Sequence, residues 1–170
     1  MLKLLTDNLP RILKNKKKLE ELLKVKISNR GREIELVGAS EQEFLSEKVI
    51  RALEIGFPFS EVLNLIDEEA TFETIHIKDH TTKADLKRIR ARIIGANGKT
   101  IKTISDLTKC ALEIKDNTIG IIGELEYIKN AIAAIISLIK GTKQGNVYAY
   151  LEKHQIKPEE DLGLREKGKD

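Results

Sequence analysis

The chain has 170 residues, a formal net charge of +3, 41% hydrophobic and only 4% aromatic residues, enough apolar material to fill a core. No apolar run approaches the ~18 residues of a membrane-crossing helix, and Met1 to Leu5 followed by Thr6 and Asp7 lacks a secretory hydrophobic stretch, so a soluble, cytoplasmic protein is expected. A lone Cys110 cannot form an internal disulfide, and the scattered His76, His80 and His154 make neither a zinc spacing nor a nucleophile pattern, so no metal, cofactor or catalysis is expected.

Taken in chain order, Leu2 to Leu5 reads as a strand, Leu9 to Leu23 as one long helical pattern, and Val25 to Ser28 and Glu33 to Val37 as two further strands. Ser40 with Glu43 predicts a capping box for the helix that follows and ends before Gly56. Residues 57–71 open with Phe57-Pro58-Phe59-Ser60 and read as a short helix and linker, with Ser60 as N-cap. Phe72 to Lys78 alternates with Ile75 and Ile77 on one face, and Thr82 offers an N-cap for a helix over Lys83 to Ile94. After Gly95-Ala96-Asn97-Gly98, a helix over Lys99 to Thr108 repeats Ile101, Ile104 and Leu107. Two strands then surround a turn at Asp116 and Asn117, with Cys110 assigned to packing at the start of the first. Leu125, Ile128, Ile132, Ile135 and Ile139 stripe a last helix over Glu124 to Lys140. Beyond Leu151 the chain is charged and interrupted by Pro158, Gly163 and Gly168, so 153–170 reads as a flexible tail.

The two halves match at a spacing of 85 residues. Glu33-Ile34-Glu35-Leu36-Val37-Gly38 falls on Thr118-Ile119-Gly120-Ile121-Ile122-Gly123, and Gly56 falls on Gly141. Leu19 and Leu22 fall on Ile104 and Leu107, the apolar face of a helix. Two copies of one small unit follow, at 1–56 and 72–152, each in the order β-α-α-β-β-α.

Charge singles out one segment. Residues 78–102 carry eight basic side chains against two acidic ones, whereas 41–73 carry nine acidic against two basic. A charge run alone is commonly a solvated helix face, but this one contains helix, Gly-x-x-Gly, helix. That arrangement belongs to the KH fold, in which the glycines let the backbone of a single strand come close. Bare main chain at Gly95 and Gly98 would admit phosphates to the amides of the next helix, whose dipole favours them. Lys99 adds charge, Arg88, Arg90, Arg92 and Lys102 support it, and Ile93 or Ile94 with Ile101 would floor the bases beside Thr100. Gly98-Lys99-Thr100 also ends like a phosphate-binding P-loop, but that motif needs glycine where Ile93 stands, and the basic run before it is no buried strand. In the first copy the spacing puts Pro10-Arg11-Ile12-Leu13 in the loop's place, and Lys14, Lys16, Lys17 and Lys18 read as a solvated face. The fold class is therefore α+β: two tandem type I KH domains, the first with a degenerate loop. A rival reading is a protein-interaction scaffold built on KH folds, favoured by that lost loop and by the acidic stretch.

Arg92 to Thr100, Ile119 to Gly123, Gly56-Phe57-Pro58 and Gly145-Asn146-Val147-Tyr148-Ala149-Tyr150-Leu151-Glu152 together resemble the archaeal KH-domain proteins of small ribosomal subunit assembly. That family is related to the eukaryotic partner of the Nob-one endonuclease and to the factor associated with rRNA dimethylation. The resemblance implies binding of the single-stranded 3′ end of small-subunit ribosomal RNA. It also implies contact with the maturation endonuclease and with the alpha subunit of initiation factor two. The first copy departs from archaeal relatives that keep a glycine loop there.

Overall fold

A computed structural model describes residues 1–67, 69–82 and 84–155; the expected helix start at Lys83 and the tail from 156 onward lie outside them. The first half comprises β1 (Leu2–Leu5), α1 (Leu9–Lys14), α2 (Lys16–Leu23), β2 (Lys26–Arg30), β3 (Glu33–Val37) and α3 (Ser40–Ile55). Helix α4 (Phe59–Ile66) leads to β4 (Thr71–His76), a 3-10 turn over Ile77–His80, α5 (Leu86–Ile94) and α6 (Lys99–Thr108). The chain continues as β5 (Ala111–Lys115), β6 (Thr118–Gly123), α7 (Leu125–Ile139) and α8 (Gln144–Lys153). Each half makes a three-stranded antiparallel sheet with its last strand in the middle, β1-β3-β2 and β4-β6-β5. Leu4 stands opposite Ile34 as Ile75 stands opposite Ile119.

The 85-residue spacing reappears in the backbone. Among the described residues, positive φ occurs at Lys24, Gly31 and Gly56, and again 85 positions on at Lys109, Asp116 and Gly141. Lys24 and Lys109 are left-handed C-caps of α2 and α6. The three remaining cases, Gly95, Asn97 and Gly98, have no counterpart upstream. Side-chain packing obeys the same spacing: a Cβ on Gly38 would lie 2.7 Å from Val25 Cγ1, and one on Gly123 would lie 2.5 Å from Cys110 Sγ. Each sheet's middle strand therefore closes on glycine because the residue preceding the neighbouring strand fills that space.

Two apolar clusters hold the chain. The first joins Ile12, Leu19, Ile34, Leu36, Val49 and Ile50 with Phe57, with Val62 and Leu65 of α4, and with Phe72 and Ile122 of the second sheet. Residues 57–71 thus supply core to the first half as well as connecting the two. The second cluster sets Ile75, Ile119 and Ile121 against Ile89, Ile93, Ile104, α7, and Val147 and Leu151 of α8. Strand β6 is buried on both faces. Ile119 and Ile121 meet its own helices, while Ile122 and Gly120 face the first half, and a Cβ on Gly120 would lie 2.7 Å from Phe57 Cε2. A strand covered twice becomes a continuous apolar run rather than an alternating one.

Several ends differ from expectation. The long helical pattern splits at Asn15, which is C-cap of α1 and N-cap of α2. Ser40 is already helical; the N-cap is Ala39, which has no side-chain acceptor, and instead Gln42 Oε1 accepts from Ala39 N at 3.3 Å and Glu43 Oε1 from Gly38 N at 3.1 Å. Helix α4 starts after Pro58 rather than Ser60. Helix α5 starts not at Thr82 but after Asp85, whose Oδ1 accepts from Arg88 N at 3.1 Å, because a carboxylate there meets both the orphan amides and the dipole. Strand β4 stops at His76, where Ile77 N turns to donate to Asn117 O at 2.9 Å. Helix α8 was not expected at all.

Candidate nucleic-acid interface

Helix α5 ends when Gly95 N donates to Ala91 O at 2.8 Å, and Gly95 then swings the chain at φ 75°, ψ 174°. Ala96, Asn97 and Gly98 form one tight turn, with Asn97 at φ 54° and Gly98 at φ 74°, and Gly98 N donates to Gly95 O at 3.2 Å. The two glycines do different work. A Cβ on Gly95 would lie 2.1 Å from Thr100 Oγ1, so its missing side chain serves packing within the protein. Gly98 has nothing within 4 Å of that position, so there the bare backbone faces open space. Ala96, Asn97 and Lys99 are exposed while Thr100 is buried. Gly98 N and Lys99 N are already taken by Gly95 O and Ala96 O, while the helix dipole places partial positive charge at the start of α6.

The other expected residues divide. Arg88, Lys99 and Lys102 are exposed. Arg90 Nη1 reaches Asp116 O at 3.4 Å in the β5–β6 turn. Arg92 turns away from the loop: its guanidinium donates to Leu138 O at 3.4 Å and to Thr142 O, so it braces the end of α7 rather than presenting a charge to phosphate. Ile93 is fully buried in the second core and cannot floor a base, whereas Ile94 and Ile101 are half-buried beside the loop. Strand β5 is an edge of its sheet, with α6 packed nearby. Gln144 of α8 was not anticipated: its Nε2 donates to Arg92 O at 3.2 Å and to Thr100 Oγ1 at 3.0 Å, behind the loop.

Other features carry no such geometry. Cavities of about 450, 480 and 350 Å³ are lined by other residues, such as Glu61, Asp106 and Cys110 in the first and Arg51, Glu54 and His76 in the second. Burial pushes the Cys110 thiol up to about 11, which keeps it protonated and unreactive near neutral pH. His76 Nδ1 pairs with Thr118 Oγ1 at 3.1 Å, and His154 stacks on Tyr150.

In the first half no loop separates the helices. Pro10 to Leu13 lie inside α1, and Arg11 Nη2 donates to the carbonyls of Gly56 at 3.2 Å and Phe57 at 2.8 Å. Burial raises the pKa of Glu113 on β5, and Arg11 nearby works the other way. In place of the glycine loop, α1 is fastened by Arg11 to the carbonyls that follow α3.

Residues 71–156 match the family model for the second KH domain of PNO1, described as a eukaryotic type KH-domain (KH-domain type I). The chain belongs to this KH family. A KH domain-containing protein of Methanocaldococcus jannaschii is 28% identical over 149 residues, covering 84% of this chain and 66% of that protein. The pre-rRNA-processing protein PNO1 of Yarrowia lipolytica is 37% identical over 105 residues, covering 60% of this chain and 41% of PNO1. The chain thus spans from about two-fifths to just under two-thirds of these relatives' lengths. Among solved structures, Dim2p from Pyrococcus horikoshii aligns with a TM-score of 0.80 at 26% identity, covering 89% of this chain and 98% of that one. A second crystal structure from that organism, of an a/eIF2alpha-aDim2p-rRNA complex, contains a chain that aligns with a TM-score of 0.82 at 25% identity, covering 91% and 93%. The mixed α/β architecture is the KH fold of these PNO1 and Dim2 proteins.

Proposed function

We propose that this PNO1-family protein binds the single-stranded 3′ end of small-subunit ribosomal RNA through Gly95 to Lys99 and acts, without catalysis, in ribosome assembly in the cytoplasm. The observation that carries this reading is the loop itself, among the described residues the one stretch of positive φ with no counterpart 85 residues away, left open at Gly98 and followed by exposed Lys99 and Lys102. A similar chain has been crystallised with rRNA and a/eIF2alpha, and relatives carry the name pre-rRNA-processing protein. The alpha subunit of initiation factor two and the maturation endonuclease are the protein partners of this reading. Residues 1–56 are then a degenerate KH domain in tandem with the KH domain at 72–152, supported by the shared strand order and shared backbone turns. Its lack of the glycine loop favours a structural or protein-facing role for the first domain.

Replacing Ala96 and Asn97 together by aspartate puts two carboxylates where phosphates would settle. Affinity for single-stranded RNA is expected to fall by more than about 100-fold, with an unchanged thermal midpoint. Wild-type affinity in that variant would sink the site. For about four phosphates gripped, log affinity should fall against log salt with a slope near roughly −3.

A further inference from the structure

Four pieces of backbone converge behind the loop: the last turn of α5, Gly95, the start of α6, and the turn between α7 and α8. Gln144 is the first helical residue of α8 and spends its side-chain amide there, donating to Arg92 O at 3.2 Å and to Thr100 Oγ1 at 3.0 Å. Arg92 O belongs to the last turn of α5, where carbonyls run out of intrahelical donors. Thr100 Oγ1 is the atom against which Gly95 is packed. One side chain therefore ties the segments entering and leaving the loop to each other.

A second tie runs in the opposite direction. The Arg92 guanidinium donates to Leu138 O, which also accepts from Gly141 N, and to Thr142 O in the turn after α7, setting positive charge at the negative end of that helix's dipole. Helix α8 is itself anchored, because Val147 and Leu151 are 2% exposed in the second core. The loop in front combines positive φ at Gly95, Asn97 and Gly98, a shape that local preference alone does not hold.

Given the loop as the RNA grip, we infer that Gln144 is a positioning residue for RNA binding: it touches no RNA and keeps the backbone turn from Gly95 to Thr100 in its binding arrangement. Without it the loop spreads over other conformers, and ordering them again is charged against affinity.

Binding of a labelled mixed-sequence single-stranded RNA oligomer to the full chain, titrated at several salt concentrations, tests this. Gln144→Leu keeps the bulk and removes both donors. Affinity should fall about five- to tenfold with an unchanged salt slope, since no phosphate contact is lost. Amide exchange should quicken at Ala96 to Lys99 and stay at its wild-type rate at Ile119 and Ile121. Thr100→Val removes one acceptor of the same tie and serves if the first variant folds poorly. Combined with Gln144→Leu it should cost less than the two effects summed, as a shared interaction requires. Additive losses, a shallower salt slope, or unchanged exchange in the loop would each overturn the assignment. Wild-type affinity in Gln144→Leu beside a dead Ala96→Asp/Asn97→Asp variant would overturn the positioning role alone. Wild-type affinity in that double aspartate variant would remove the loop reading, and the positioning role with it.

Discussion

The middle strands β3 and β6 stand 85 residues apart and share one face while differing on the other. Ile34 and Leu36, like Ile119 and Ile121, are fully buried under helices. On the opposite side, Glu33 and Glu35 of β3 meet Lys3 Nζ at 3.3 and 3.5 Å at the water, whereas Gly120 and Ile122 of β6 lie under Ile55 and Phe57. The same sheet is thus half-wet in one copy and covered twice in the other. The loops differ in the complementary sense, open at Gly98 in the second half and absent in the first, where Arg11 clasps Gly56 and Phe57. The first half lacks the grip, and through Ile55 and Phe57 it packs on the back of the sheet whose front helices carry the loop.

Phe57→Ala probes that attachment and should have the largest effect. Phe57 is fully buried, edge-on to Phe72 at 6.2 Å, and sits against Gly120. Truncation should destabilise by about 3–5 kcal/mol, read as a lower denaturant midpoint. A cost near that of a surface substitution would mean that the two halves hold together without this contact.

The glycines of the loop sharpen the comparison next. Gly95→Ala forces a Cβ to within 2.1 Å of Thr100 Oγ1 at φ 75° and should cost roughly 2–4 kcal/mol as well as RNA affinity. Gly98→Ala meets open space and should cost only about 1 kcal/mol of stability, for its left-handed φ, while its methyl group crowds the approach of phosphate. Equal stability losses in the two variants would show that the glycines are interchangeable and that the inward role given to Gly95 is wrong.

Much of this was legible because the 85-residue spacing records packing. Gly38 and Gly123, or Gly56 and Gly141, occur where a Cβ would collide or where φ must be positive, and only glycine fits such places cheaply. The strand alternation and the Ile stripe of α7 were readable for the same reason. What escaped was set by tertiary contacts. Helix α8 buries only Val147 and Leu151 on a helix with exposed Tyr150, too thin a stripe to announce itself. Arg92 carries the same charge as Arg88, and nothing local says that one points to helix carbonyls and the other to water. Ile93 and Ile94 are adjacent, and Ile93 takes the core because it lies one turn after buried Ile89 on the same face of α5, which leaves Ile94 half-buried beside the loop.

The smallest expected effect tests whether the equivalence of the halves extends to single side chains. Cys110 occupies the place that Val25 occupies upstream, each filling the space left by a strand-closing glycine. Cys110→Val should therefore change stability by less than about 1.5 kcal/mol near neutral pH. It should also remove a pH dependence. Burial raises the thiol from its ordinary value of 9.0 to about 11, so the folded chain holds the proton more tightly than the unfolded chain. The contribution is complete below pH 9.0 and is lost as the pH rises through about 11, a loss that valine cannot suffer. Urea midpoints should thus converge or cross in favour of the variant over that window. A penalty of several kcal/mol already at pH 7 would mean that the two sites share spacing but not shape. Parallel decline of both proteins with pH would place the thiol in a wetter setting than its 2% exposure implies.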